Sequence, residues 1–99
     1  MIQGTTPTHT IHLPFEASTI AAMRLTYEQK GKIVLTKEKD DFEVSGNTIA
    51  AKLTQEETLL FDANIQVRIQ LHVRTNNGKA LATRPWTVPV YILLDRREV

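Results

Sequence analysis

Histidines are the side chains of this chain with which metal or acid–base chemistry would begin. His9 and His12 lie three residues apart, a spacing that places them on opposite faces of a β-strand, and His72 lies far along the chain. A metal site needs several ligands that converge on one face. We therefore expect no metal site, with His12 and His72 at the surface and His9 partly buried.

The carboxylates and hydroxyls do not form a recognisable catalytic pattern either. An acidic cluster interleaved with lysines contains Glu38, Asp40, Asp41 and Glu43. It lacks the repeated aspartates of a calcium loop and is interpreted as a solvated hairpin tip. The only serines, Ser18 and Ser45, stand outside any G-x-S-x-G motif, and the four glycines form no phosphate-binding loop. We expect a protein that is not an enzyme and takes no cofactor.

Bulk composition limits the classes of protein further. The chain has 99 residues, of which 41% are hydrophobic, so residues 1–99 are predicted to form one domain with its own hydrophobic core. The net charge is only +1, without a basic patch, so nucleic acid is not an expected partner. Cysteine is absent, as in proteins made in a reducing cytosol. No apolar run suits a membrane span and no export signal is visible, so we expect synthesis in a cytoplasm.

The side chains described above must be positioned by the stretch around residues 54–78. Apolar and polar residues alternate strictly there, the apolar set being Ile65, Val67, Ile69, Leu71 and Val73. This period of two predicts a long strand with one buried face. Thr54 and Glu57 have the spacing of a capping box and predict one helical turn before the strand, while Asn77-Gly78 predicts a hairpin turn after it. Between turn and strand, residues 59–61 (Leu-Leu-Phe) are expected to close one end of the core.

Shorter alternating segments flank this strand. Residues 8–13, 32–37, 42–45 and 49–53 each predict a strand, and Lys30-Gly31 and Gly46-Asn47 predict tight turns. Residues 19–29 fit a strand, which we favour, or a helix that begins at Ser18 and ends at Gly31.

The end of the chain changes its alternation. Leu81 and Thr83 share one parity, whereas Trp86, Val88, Val90, Ile92 and Leu94 share the other. The change near Arg84-Pro85 predicts a bulge or a strand that switches sheets. The lead before residue 8 and the tail 95–99 are expected to be polar ends. About seven strands at this spacing predict an all-β, immunoglobulin-like antiparallel β-sandwich with one short helical turn.

Two surfaces are candidates for binding. Pro85 and Pro89 cannot donate to a sheet ladder, so we expect a partner at the opposite edge, near residues 8–13. Trp86 and Tyr91 have opposite parity, which predicts a buried Trp86 and an exposed Tyr91. The candidate interface residues are Tyr91, Thr8, Thr10 and His12. The polar face with Arg68, His72 and Arg74 is a second candidate, for an anion or glycan, although a plain solvent face or a subunit contact is favoured.

Three motifs carry a resemblance to a known family. They are IQGTTPTHTIHLPF, GNTIAAKLTQEETLLF and VRTNNGKALATRPWTVPV, which together span residues 2–90. They resemble small structural proteins encoded by phages and prophages of Gram-positive bacteria, and they are similar to the N-terminal β-sandwich modules of phage baseplate proteins. The resemblance implies a non-enzymatic virion component, associated with the tail or baseplate, that assembles with itself, as a homo-oligomer, or with neighbouring phage structural proteins. The alternative is a free-standing β-sandwich module that recognises a glycan or a protein.

Overall fold

A computed structural model describes residues 1–97 and residue 99. The described residues form eight strands and one helical turn. The strands are β1 Thr8–His12, β2 Ile20–Gln29, β3 Lys32–Glu38, β4 Phe42–Ser45, β5 Thr48–Lys52, β6 Val67–Thr75, β7 Ala80–Ala82 and β8 Trp86–Val88. The helical turn α1 spans Gln55–Thr58, and short 3₁₀ turns at Ala17–Thr19 and Lys39–Asp41 precede β2 and β4.

The strands form two antiparallel sheets. The smaller sheet has the order β1-β5-β4, and the larger has the order β3-β2-β6-β7, with β8 also paired to β6. Immunoglobulin sandwiches place strands A, B, E and D in one sheet and C, F and G in the other. The smaller sheet therefore corresponds to B, E and D, and the larger to C, F and G with an added strand beside C. The prediction of an immunoglobulin-like β-sandwich is confirmed.

The two long strands at the centre of the larger sheet supply most of the core. Along β6 the exposure alternates between buried and exposed without exception from Val67 to Arg74, and Val67, Ile69, Leu71 and Val73 are each no more than 4% exposed. Ile65 was expected to continue this buried face, but it precedes β6 and is only half-buried. Asn64, with φ of 65°, turns the chain just before it, so the alternation of a strand cannot begin until Val67.

Residues 19–29 form a strand, as favoured, and the helical alternative is wrong. In β2, Met23, Leu25 and Tyr27 face the core, with Leu25 and Tyr27 fully buried. Lys30 and Gly31 both have positive φ (52° and 77°), which identifies a two-residue type I′ turn into β3. This turn is the reason that β2 and β3 pair directly.

The other predicted turns are also present, with one difference in detail. Gly46, at φ 57°, begins the two-residue turn between β4 and β5. In the hairpin after β6, Gly78 has φ of 85° and its N–H donates to the Thr75 carbonyl. Asn77 does not share the positive φ expected from the Asn-Gly pair. The turn is therefore longer than the two-residue turn that Asn-Gly predicts. The Lys79 carbonyl closes it by accepting from the Thr75 N–H at 2.9 Å.

The capped turn is built as the spacing predicted. The Glu57 N–H donates to Thr54 Oγ1 at 3.1 Å, and Glu57 Oε1 accepts from the Thr54 N–H at 2.9 Å. Phe61 follows and is 1% exposed, but Leu60 is 57% exposed and does not close the core as expected. Residues 59–61 follow the end of α1 in a turn, and the chain direction changes there, so the three successive apolar side chains do not all point inward.

The last strands run along the same edge of β6 with a break between them. β7 pairs with residues 72–74 of β6 and β8 pairs with residues 67–69. At the break, Thr83 accepts the Leu71 N–H with its side-chain Oγ1 at 3.0 Å. The change in parity is thus a local irregularity, and the chain does not switch sheets. Among the residues expected to share the buried face with Trp86, Val90 is still buried, but Ile92 and Leu94 are exposed. Both lie beyond the end of β8 at Val88, where the alternation of a strand no longer applies.

The N-terminal segment is bound to residues near the end of the chain. Ile2 forms a parallel bridge with Tyr91, and Gln3, only 3% exposed, accepts from the Leu93 N–H and from Arg96 Nη1. Asp95, Arg97 and Val99 are exposed, as expected of a polar tail, and Glu98 lies outside the described residues.

Candidate interaction surfaces

The outer edge of β1 holds three of the four predicted interface residues. Leu13 donates its N–H to the Asn47 carbonyl at 2.7 Å, and Leu53 donates to the Pro7 carbonyl at 3.0 Å. Antiparallel strands alternate hydrogen-bonded and non-hydrogen-bonded pairs, so the odd-numbered residues of β1 face β5. The main-chain groups of Thr8, Thr10 and His12 therefore point away from β5.

Among the described residues, β1 is an edge strand whose outer side has no neighbouring strand. No strand there pairs with the far side of β1, and the place that strand A occupies in an immunoglobulin sheet is vacant. The side chains of Thr8, Thr10 and His12 are all exposed. The partner was expected at the edge opposite the final strand, near residues 8–13. That edge belongs to the smaller sheet, whereas β8 belongs to the larger one.

The other three strand edges each carry a feature that hinders strand addition. β3 has a register irregularity opposite Tyr27 and Glu28, and its Lys37 points into the sandwich. β4 is only four residues long and includes Glu43. The β7–β8 edge is interrupted before Trp86 and ends at Pro89. β1 contains no Lys, Arg, Asp, Glu or Pro and pairs with β5 without a register shift.

Tyr91 lies apart from the other candidate interface residues. It is 56% exposed, as predicted, and its main chain pairs with the N-terminal segment: the Tyr91 N–H donates to the Met1 carbonyl at 2.9 Å, and the Gln3 N–H donates to the Tyr91 carbonyl at 3.1 Å. Ile2 and Ile92 beside it are also exposed. Within residues 1–97 no hydrogen bond or bridge joins Tyr91 to β1. Trp86 is half-buried against the core, in agreement with its predicted parity.

The outer face of the larger sheet carries the second candidate surface. Arg24 stands opposite His72 in the register, and a shallow open depression of about 290 Å³ is lined by both, together with Arg74, Ala22 and Ala80. Arg24 is also paired with Glu38 at 2.8 Å, and Arg68, further along β6, is paired with Glu28. Glu38 also lines this depression, so its lining carries both signs of charge.

The three histidines do not come together. His12 is exposed on the smaller sheet, His72 is exposed on the larger sheet, and His9 points into the sandwich, where its Nδ1 lies 2.5 Å from the Tyr27 hydroxyl. Burial, and secondarily the charge of the N-terminal ammonium, lowers the pKa of His9 and so favours its neutral form. Burial likewise raises the pKa of Tyr27, with a smaller contribution from the Glu57 charge. In residues 1–97, no group of three or more metal-ligating side chains is gathered.

The acidic cluster was expected to be the tip of a hairpin, but it is not, because β3 belongs to the larger sheet and β4 to the smaller one, so this segment crosses between the sheets. The Glu38 N–H donates to Asp41 Oδ2 at 2.8 Å, and Glu43 is paired with Lys52 at 2.9 Å on the exposed face of the smaller sheet. The side chains of Glu38 and Glu43 are both more than half exposed. The Glu38–Asp41 hydrogen bond orders the turn before β4, and the Glu43–Lys52 pair links β4 to β5.

Several buried polar residues were not anticipated from the sequence. Gln29 donates to the Asp62 and Ile65 carbonyls at 2.9 Å each and accepts from the Asp62 N–H at 2.8 Å, so it holds the loop before β6. Its parity with Leu25 and Tyr27 was a signal that it points inward. Lys37, 8% exposed, bonds Glu57, and no local pattern in the sequence distinguished it from a surface lysine.

The fold and these surfaces define a small β-sandwich of immunoglobulin-like strand order with an accessible sheet edge. No protein-family model matches the chain, and comparison with curated proteins and with solved structures finds no similar protein. No helix among the described residues is long and apolar enough to cross a membrane.

Proposed function

We propose that this chain is a non-enzymatic structural module of a phage or prophage virion, associated with the tail or baseplate, that works by protein–protein assembly. The phage setting rests on the resemblance of the three sequence motifs. The assembly function rests on one observation in the structure, the open and uncharged outer edge of β1. Unpaired main-chain groups on such an edge can be completed by a strand from another chain.

The motifs that carry the resemblance also build the features that support assembly. GNTIAAKLTQEETLLF supplies the Gly46 turn, strand β5 and the Thr54–Glu57 capping box. IQGTTPTHTIHLPF supplies the N-terminal segment paired to Tyr91 and the whole of β1. In this proposal the chain is produced in the host cytoplasm and is incorporated into the particle with copies of itself or with neighbouring structural proteins.

The test is to purify particles released from a strain that carries the gene and to identify their proteins by mass spectrometry. We expect the chain in the particle fraction and, on co-expression, in a complex with itself or with a product of an adjacent tail gene. Absence from the particles, together with metal-dependent hydrolysis or tight binding of a small glycan by the isolated protein, would contradict the proposal.

A free-standing binding module is the second candidate, and the depression beside Arg24, His72 and Arg74 favours it. Its lining carries Arg24 and Arg74 against the single carboxylate of Glu38, and this excess of positive charge suits an acidic glycan or an acidic protein surface. Nuclear magnetic resonance titration with acidic oligosaccharides checks this candidate. Shifts confined to Arg24, His72 and Arg74 that are lost in Arg74→Ala, but not in Arg84→Ala, would favour it over a virion component.

A further inference from the structure

We propose that the outer edge of β1 pairs with the same edge of a second copy, in an antiparallel arrangement about a two-fold axis at Thr10. This inference rests on the proposed assembly function and names the surface and the partner. The two small sheets then form one continuous six-stranded sheet across the dimer. A two-fold interface of this kind uses one patch twice and closes on itself.

The direction of the main-chain groups sets the register. Only Thr8, Thr10 and His12 of β1 point their N–H and C=O groups outward, as the bonds of Leu13 to Asn47 and of Leu53 to Pro7 establish. Centring the pair on Thr10 places Thr8 opposite His12 of the second copy and Thr10 opposite itself. Every outward-pointing group of β1 then gains a hydrogen-bonding partner.

The side chains of β1 are compatible with that register. On the exposed face, Thr10 meets Thr10, a cross-strand pair that stabilises antiparallel sheets, and no charge meets a like charge. On the inner face, Ile11 lies opposite His9 of the second copy. Pro7 and Pro14 flank the strand, and since Pro14 has no N–H, pairing is limited to residues 8–12.

A second copy is the favoured occupant because the outer edge of β1 is complementary to itself in this register, and the other edges of the molecule are protected. The inward Lys37, the short β4 with Glu43 and the interrupted β7–β8 edge are each features that prevent uncontrolled strand addition. Leaving one uncharged five-residue edge open restricts pairing to a single site per chain. Because this strand is short, we expect a weak dimer that appears only at high protein concentration.

Two double variants test the register through charge. Thr8→Glu/His12→Glu places like charges opposite each other at both ends of the pair, and Thr8→Glu/His12→Lys places opposite charges there. By sedimentation over a micromolar to millimolar range, we expect the wild type to form dimers, the first variant to dissociate roughly tenfold more readily, and the second to dimerise at least as well as the wild type. Both variants share Thr8→Glu, and thermal unfolding confirms that each is folded.

Cysteine cross-linking gives an independent measurement because the chain has no native cysteine. Directly opposed residues of a hydrogen-bonded antiparallel pair have Cα atoms about 5.5 Å apart, within reach of a disulfide. Under mild oxidation we expect Thr10→Cys to form a covalent dimer. Thr36→Cys, on the exposed edge strand β3, is the matched control and should remain monomeric.

Three results would overturn the edge pairing. The first is equal dimerisation of the wild type and Thr8→Glu/His12→Glu, and the second is cross-linking at position 36 in place of position 10. The third is a wild type that stays monomeric throughout, without cross-linking of Thr10→Cys. Loss of the dimer in both double variants would overturn the antiparallel register. The proposed function fails separately, when the chain is absent from particles and binds no neighbouring structural protein.

Discussion

The Glu57 carboxylate lies 2.7 Å from the Lys37 ammonium and joins the α1 turn to the edge strand β3. The same carboxylate accepts the Thr54 N–H of the capping box. Burial raises the pKa of Glu57, but the hydrogen bonds from Lys37 and Thr54, with the Lys37 charge, outweigh it and leave the pKa lowered. One acidic residue thus closes a helical turn and neutralises a lysine inside the sandwich.

Removing the charge of Glu57 should therefore be costly. Glu57→Gln keeps a side chain suited to a capping box but leaves Lys37 without its counter-ion, and we expect a loss of about 2–4 kcal/mol in unfolding free energy. Adding Lys37→Met to this variant should recover part of the loss. Glu38→Gln, which breaks the exposed pair with Arg24, is the control and should cost under about 1 kcal/mol. Urea denaturation measures all of these, and equal losses for Glu57→Gln and Glu38→Gln would contradict the assignment.

His9 should make the stability depend on pH. Its pKa is lowered in the folded state from the ordinary 6.5, so the unfolded chain binds the proton more tightly. The stabilisation from neutral His9 is then present above about pH 6.5 and is lost as the pH falls through that value toward the folded-state pKa. Between about pH 8 and about pH 5, the melting temperature of His9→Gln should decrease less than that of the wild type. An equal decrease in the two proteins would contradict this role of His9.

The capping box gives a third prediction. Thr54→Ala removes the oxygen that accepts the Glu57 N–H and should destabilise the protein by about 1 kcal/mol. Thr54→Ser keeps that oxygen and should stay near the wild type. Chemical denaturation of the three proteins decides the matter, and an unchanged midpoint for Thr54→Ala would show that the cap contributes nothing.

The buried face of β6 gives a fourth prediction. Ile69 is 1% exposed, and Ile69→Ala should cost about 2–5 kcal/mol through the lost burial and the cavity that remains. The next residue, Gln70, is exposed and donates to the Thr83 carbonyl, so Gln70→Ala should cost about 1 kcal/mol or less. Similar costs for the two substitutions would be incompatible with the alternation along β6.

Gly4 gives the fifth prediction, about the tie between the ends of the chain. Its φ is +73°, and a Cβ there would overlap the Leu93 side chain. Gly31 has a similar φ of +77° with open space around it, so Gly31→Ala pays only the backbone strain of about 1–2 kcal/mol. Gly4→Ala should lower the melting temperature more than Gly31→Ala. Equal shifts would indicate that Leu93 moves aside freely.

Much of the fold was readable from local patterns. The alternation along β6, the parity of Leu25 and Tyr27, the Thr54–Glu57 spacing and the glycine turns all act within a few residues, where backbone sterics and the two-residue period of a strand dominate. The same patterns placed Thr8, Thr10 and His12 on an exposed face. The expectation of a partner near residues 8–13 came instead from Pro85 and Pro89, which cannot donate to a sheet ladder.

Tertiary structure decided where each strand ends and which distant residues its side chains contact. The sequence alone determined a β-sandwich, its turns, its capped helical turn and the faces of its strands, because each depends on neighbours along the chain. It did not determine that Lys37 meets Glu57, that Gln3 holds Leu93, or that the outer side of β1 is the vacant edge. Those relationships join residues 20 to 90 positions apart or depend on strand order, and only the packing of two sheets brings such residues together.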